Sequence, residues 1–158
     1  VTEVGPVVAA EVAQVVALDA LAPRGWSRTS WEAQVSAENT LTLACRDGGR
    51  PGILGVAAFS LAADVADLLR VAVAPEHRRR GIARALVAEG IAWAESLEAT
   101  RMLLEVEPGN EAAVALYEGF GFAPIGVRTD YYGAGADAVV MERPLGGGQQ
   151  GNRGADDE

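Results

Sequence analysis

The chain has 158 residues, 49% of them hydrophobic, which is enough apolar material for one core and one domain. Thirteen basic against 22 acidic residues leave a formal charge of −9, which disfavours direct nucleic-acid binding and favours a cationic partner such as a basic peptide. There is no lysine, and Cys45 and His77 are the only residues of their kinds, so Walker-A and Schiff-base chemistry, an internal disulfide and a cysteine-rich zinc site are excluded and no metal is expected.

No positive charge precedes Arg24, so a signal peptide is not expected. Glu, Asp or Gly interrupts each long apolar run, so no transmembrane helix is expected either, and a cytoplasmic protein without a membrane partner is the default. Helical spacing of Val8, Val12, Val15, Val16 and Leu18 predicts a helix over 7–21, with Pro6 in its first turn and Pro23-Arg24-Gly25 breaking it. Thr29 followed by Glu32 fits a capping box for a second, short helix. Residues 41–46, 53–62 and 68–74 read as strands, separated by turns at Asp47-Gly48-Gly49 and Ala63-Asp64. The strongest helical pattern is 80–97, with Ile82, Leu86, Trp93 and Leu97 along one face. Residues 102–106 read as a buried strand ended by Pro108-Gly109, after which Asn110 caps a helix to about Gly119 or Phe120. Residues 122–132 and 138–143 close the sheet as a pair of strands. From Gly146 the chain is mostly Gly, Gln, Asn and Asp, so a single domain over 1–145 and a disordered acidic tail over 146–158 are expected. The order of elements is that of an α/β protein with a mixed sheet.

Two stretches carry chemistry. In the first, the apolar run Val71-Ala72-Val73-Ala74 stops at Pro75, then Arg78-Arg79-Arg80-Gly81 leads into the long helix through Ile82, Ala83 and Arg84. That order gathers main-chain N–H groups, a helix N-terminus and fixed positive charge, for which a phosphate or pyrophosphate is the natural ligand. Gly81 and Ala83 are small enough to let an anion approach the backbone; the alternative is a solvated charge run ahead of a helix. In the second stretch, Glu105 lies in an otherwise apolar strand, opposite in face to Leu104 and Val106. It is either a functional carboxylate or a structural one paired with an arginine. Asn110 and Tyr117 are spaced to lie on one helix face, about two turns apart. Asn110 is a good N-cap with or without a second role, and Tyr117 is either functional or a core tyrosine.

Taken together, these stretches resemble the GNAT superfamily of acetyl-CoA-dependent N-acetyltransferases. Its loop pattern, Gln/Arg-x-x-Gly-x-Gly/Ala, appears as Arg78 to Ala83, and its later pattern, Asn-x-x-Ala-x-x-x-Tyr-x-x-x-Gly-Phe, as Asn110 to Phe122. The chain is most similar to the ribosomal-protein-alanine N-acetyltransferases, the RimI type, through Leu104-Glu105-Val106, Ala115-Leu116-Tyr117-Glu118, Arg128-Thr129-Asp130-Tyr131-Tyr132 and Trp26-Ser27. It departs from that pattern at Gly25, Asp130, Gly133 and Ala136, around the expected peptide groove, which bears on substrate identity more than on chemistry.

The resemblance implies a mixed, mostly antiparallel sheet with splayed central strands flanked by helices. It implies acetyl-CoA as cosubstrate, with pantetheine on the backbone of Val71, Ala72 and Val73, the pyrophosphate on the loop of Arg78, Arg79, Arg80, Gly81, Ile82, Ala83 and Arg84, and Asn110 also holding the cofactor. Glu105 becomes the general base and Tyr117 the acid. Trp26, Tyr131 and Tyr132 line the peptide groove, although Trp26 could equally pack the first two helices. The implied acceptor is the N-terminal alanine of a basic ribosomal-protein peptide, and the RimI type is also linked to tRNA-modification proteins. A different acceptor amine, or a non-catalytic acetyl-CoA-binding subunit, remains compatible with the same residues.

Overall fold

The computed structural model describes residues 1–146. Among these residues are seven strands, β1 (Thr2–Pro6), β2 (Thr40–Asp47), β3 (Gly55–Ala62), β4 (Val65–Val73), β5 (Arg101–Val106), β6 (Ala123–Arg128) and β7 (Ala138–Pro144); helices α1 (Val12–Asp19) and α2 (Arg28–Ser36) follow β1, α3 (Ile82–Ser96) follows β4 and α4 (Glu111–Gly119) follows β5. The sheet order is β1-β2-β3-β4-β5-β7-β6. The described pairs are antiparallel except β4 with β5, which is parallel. The chain divides into two compact units, Val1–Ser60 with Leu68–Trp93, and Leu61–Asp67 with the chain from Ala94. Of the tail expected from Gly146, only Gly146 is described, its N–H bonded to Glu95 Oε2 at 2.8 Å; residues 147–158 lie outside the described residues.

In the first unit, β1 pairs with β2 from Thr2↔Asp47 to Pro6↔Leu43. This strand is not expected from the sequence, because Thr-Glu-Val-Gly-Pro has no apolar run and its extended form comes from pairing along β2. Pro6 therefore ends an edge strand, where its missing N–H is tolerated, instead of opening a helix. A 3-10 turn over Ala9–Glu11 follows, so the helix expected over 7–21 shortens to α1. Glu11 fixes this entry. Its carboxylate takes Arg46 Nη2 at 2.6 Å and Nε at 3.2 Å, and Oε1 also accepts the Val8 N–H at 3.0 Å. Helix α2 begins earlier than the Thr29 capping box suggests: Ser27 is the N-cap, its Oγ accepting from the Ser30 N–H at 3.1 Å, and Glu32 pairs instead with Arg28 at 3.2 Å.

Helix α3 starts at Ile82, not Arg80, because Ile82 is drawn into the core, 3% exposed, while Arg80 and Gly81 stay outside. A Cβ built on Gly55 of β3 would come within 2.8 Å of Ile82 Cγ2. Further along α3, Gly90 lies directly against the Phe59 ring, and any Cβ there would overlap it.

In the second unit, the β4–β5 ladder runs from Val65↔Arg101 to Asp67↔Leu103, while β5 pairs with β7 along its whole length. Met102, Leu104 and Val106 are buried, and Leu104 faces Met141 across β5–β7. Strand β6 ends at Arg128, short of the expected Tyr132, because the chain turns at Asp130 with φ +57°. We expect Gly90→Ala to destabilise the fold by about 1–3 kcal/mol through overpacking, seen as a lower urea midpoint with an unchanged slope. In an exposed helix the same change would stabilise.

Candidate functional site

Each unit contributes a group of candidate residues. In the first, β4 ends in Val71, Ala72 and Val73, and the Ala74 N–H is bonded to Leu54 O at 2.9 Å. A 3-10 turn over Pro75–His77 is closed by the His77 N–H on Ala74 O at 2.9 Å, and His77 Nδ1 lies 2.9 Å from Arg80 Nη1. Arg79 and Gly81 both take left-handed backbone, φ +65° and +77°, immediately before α3. Nothing lies within 4 Å of a Cβ built on Gly81, so glycine serves the turn and leaves open space beside it. Arg78, Arg79, Arg80 and Arg84 are exposed around the N-terminal end of α3, where main-chain N–H groups point out of the helix. Exposed guanidinium groups beside such amides suit a pyrophosphate. Ile82 can contribute only its backbone, because its side chain is in the core.

Trp26 belongs to the same unit, in a loop tied down by a buried carboxylate. Asp19 is fully buried and accepts from Trp26 N at 2.8 Å, Trp31 Nε1 at 2.9 Å and Arg70 Nε at 2.6 Å. Arg70 also donates to Pro23 O at 3.1 Å. Trp26 stacks on Trp31 with ring centroids 4.6 Å apart, so its packing role is established.

In the second unit, Glu105 stands on the face of β5 opposite Leu104 and Val106, as alternation requires, with its side chain 19% exposed. Arg128 Nη1 lies 3.5 Å from its Oε1. Burial pushes the Glu105 carboxyl above its ordinary value; Arg128 opposes this and Asp67 adds to it. Asp67 is likewise raised by burial, against Arg128 and Arg101. Tyr131 completes the group, its ring centroid 5.5 Å from the Arg128 guanidinium and its hydroxyl pushed up by burial and by the Glu105 charge. The turn carrying Tyr131 is pinned by Asp130, which takes the Gly135 N–H at 2.7 Å, and by Asp137, which takes the Asp130 N–H at 2.8 Å. Tyr132 packs edge-on against Tyr131 at 4.9 Å.

Asn110 does cap α4, its Oδ1 accepting from the Ala113 N–H at 3.2 Å. The other end of α4 fixes Tyr117. Gly121, with φ +92°, closes a Schellman motif in which the Gly121 N–H bonds Glu118 O at 2.9 Å and the Phe122 N–H bonds Tyr117 O at 3.1 Å. The hydrophobic contact that accompanies this motif is Phe122 edge-on to the Tyr117 ring at 6.0 Å.

Residues 13–122 match the model of the acetyltransferase (GNAT) family. The chain belongs to this family. Over 85 residues it is 38% identical to the [ribosomal protein bS18]-alanine N-acetyltransferase of Escherichia coli K12, covering 52% of this chain and 57% of that relative, so the match spans little more than half of the curated protein. The crystal structure of the ribosomal-protein-S18-alanine N-acetyltransferase from Escherichia coli superposes with a TM-score of 0.83 and 26% identity over 92% of this chain and 94% of that one. Arabidopsis thaliana NAA60 in complex with acetyl-CoA gives the same TM-score, 0.83, at 17% identity over 92% and 99% of the two chains, a likeness of fold alone. The mixed, mostly antiparallel sheet flanked by helices is the GNAT fold. No helix among the described residues is long and apolar enough to cross a membrane.

Three residues have contacts that their place in the sequence does not signal: Asp19, Asp67 and Arg128. Asp67 and Arg128 reach Glu105 only through strand pairing, and Asp19 looks like an exposed residue at a helix end until its loop folds over it. Asp19→Ala leaves the mostly buried Arg70 without its carboxylate, and a loss of about 3–5 kcal/mol in stability is expected. For Glu105, a carboxyl raised in the fold contributes stability below its unfolded value and loses it as pH rises through the folded one. Glu105→Gln should therefore be more stable than the parent at about pH 8 and level with it at about pH 4, measured by chemical denaturation at both.

Proposed function

We propose that the chain is an acetyl-CoA-dependent N-α-acetyltransferase of the cytoplasm that acts on the N-terminal alanine of a small-subunit ribosomal protein. The observation that carries this reading is the Glu105 carboxyl, held on the partly open face of an otherwise apolar strand with its proton affinity raised. Membership of the GNAT family and likeness to relatives named for bS18 alanine acetylation support the same acceptor.

Bound acetyl-CoA supplies the acetyl thioester. The backbone of Val71, Ala72 and Val73 holds its pantetheine arm, with an N–H of that run meeting the carbonyl oxygen as negative charge develops there. Arg78, Arg79, Arg80 and Arg84, with the amides of Gly81, Ile82 and Ala83, hold its pyrophosphate. Asn110 contributes a further polar contact. An α-amino group has a pKa of about 8 and is largely protonated at neutral pH. Glu105 takes that proton, directly or through a water, so that the nitrogen lone pair can attack; lifting the carboxyl toward the amine narrows the gap the transfer must cross. The C–S bond breaks as the amide forms, and the Tyr117 hydroxyl protonates the departing sulfur. Trp26, Tyr131 and Tyr132 line the path of the peptide, and the acidic surface favours a basic one.

Incubation with acetyl-CoA and an alanine-terminated ribosomal peptide should add one acetyl mass, and the same peptide with a blocked N-terminus should add none. Glu105→Gln should lower the rate by about 10²–10⁴-fold. Tyr117→Phe should lose less, because a thiol of pKa about 8.5 already yields a fair leaving group. Folded protein that binds acetyl-CoA without acetylating the peptide would point to another acceptor, and folded protein without affinity for coenzyme A would overturn the reading.

A further inference from the structure

The strand register places a second carboxylate beside Glu105. Asp67 of β4 is the parallel partner of Leu103, and Leu103 shares a face with Glu105 by alternation along β5. Ala66 and Leu68, the neighbours of Asp67 in sequence, point the other way into the core at 0% and 4% exposure. On the far side, Glu105 pairs with Val140 of β7, and Ala138, two residues back on the same face, pairs with Arg128 of β6. Arg128 thus reaches Glu105 across β7, with the small Ala138 as its direct cross-strand partner. Its side chain is 59% exposed, and the Tyr131 ring lies against it.

We propose that Asp67 and Arg128 are positioning residues of opposite sign for the Glu105 carboxylate, one repelling its charge and the other holding it, so that the strength of the base is set across four adjacent strands. The inference rests on Glu105 being the base. Of the other groups near this face, Arg101 of β5 is bonded to Glu142 of β7 at 2.8 Å, Tyr131 presents a neutral hydroxyl, and Glu107 follows just past the end of β5, half-buried. Arg128 acts on both carboxyls, whereas Arg101 acts on Asp67 only. Two carboxylates facing one shared guanidinium cannot both be fully compensated, so Glu105 keeps a higher proton affinity than a one-to-one ion pair would allow. At 3.5 Å, the Arg128 contact is an ion pair longer than a good hydrogen bond, which leaves the carboxylate accessible to an incoming ammonium.

The test is a carbon-detected NMR titration of the Glu105 carboxyl in the whole chain, for the parent and for Asp67→Asn, Asp67→Glu and Arg128→Gln, with the same spectra reporting that each variant is folded. The Glu105 midpoint should move to lower pH in Asp67→Asn, return toward the parent in Asp67→Glu, and move to higher pH in Arg128→Gln. The acid limb of kcat/KM for the alanine-terminated peptide should move in the same directions, with KM for acetyl-CoA unchanged. A midpoint that stays fixed in both charge-removing variants, or moves the same way in both as general loosening would produce, overturns the proposal. If the midpoints move as expected while the parent acetylates no peptide, the charge coupling stands and the acetyltransferase reading is the one that fails.

Discussion

A carboxylate can stand in the apolar strand β5 because strand alternation gives it a face of its own. Met102, Leu104 and Val106 fill the buried face, so Leu103 and Glu105 must take the other. A slip of one residue against β7 would drive Glu105 into the core and expose Leu104, which is why the apolar pattern fixes the register so firmly. Once β5 is fixed, its neighbours follow. Asp67 comes to the same face through Leu103, and Arg128 through Ala138. Every polar group argued to act on Glu105 is a consequence of that single alternation, extended sideways by pairing.

In the first unit the corresponding anchors are a buried carboxylate and two close backbone approaches. Asp19 accepts from Trp26, Trp31 and Arg70 and pairs with the Arg70 charge, which ties down the segment between α1 and α2. Gly55 and Gly90 admit Ile82 and Phe59 where any side chain would collide. Seating Ile82 in that gap sets where α3 begins. The arginine loop must then turn sharply before it, which places left-handed backbone at Arg79 and Gly81. The loop conformation is therefore imposed from the core side, before any ligand is considered.

Features specified by near neighbours in sequence were legible. Asn110 as a cap, the end of α4 near Phe120 and the facing of Glu105 all depend on residues within one or two turns or along one strand. Features specified by distant partners were not. Strand β1 has no pattern of its own and is extended only because β2 lies beside it. The expected helix start at Thr29 lost to Ser27, whose hydroxyl takes the Ser30 N–H and opens the helix two residues earlier. Asp67 reads as an ordinary polar residue until the parallel register sets it next to Leu103. Arg128 was visible as part of a family pattern, but its grip on Glu105 crosses an intervening strand.

The arginines divide by what they do, and the division helps explain a chain without lysine. Arg46 forks onto Glu11 and the carbonyl of Pro6, Arg70 onto Asp19 and the carbonyl of Pro23, and Arg143 onto the carbonyls of Phe120 and Pro144. Each uses the planar, several-donor guanidinium to satisfy partners that a single ammonium could not span. Arg78, Arg79 and Arg80 are instead exposed in the loop before α3, where Arg80 lies against the His77 ring nitrogen. Arg128 falls between these classes. It touches a carboxylate and an aromatic face, yet it is mostly exposed and its ion pair is long. On the proposed role of Glu105 as the base, a tighter pair would hold its carboxylate too firmly for it to accept a proton. The loose geometry is what a carboxylate needs if it must remain both ionised and available.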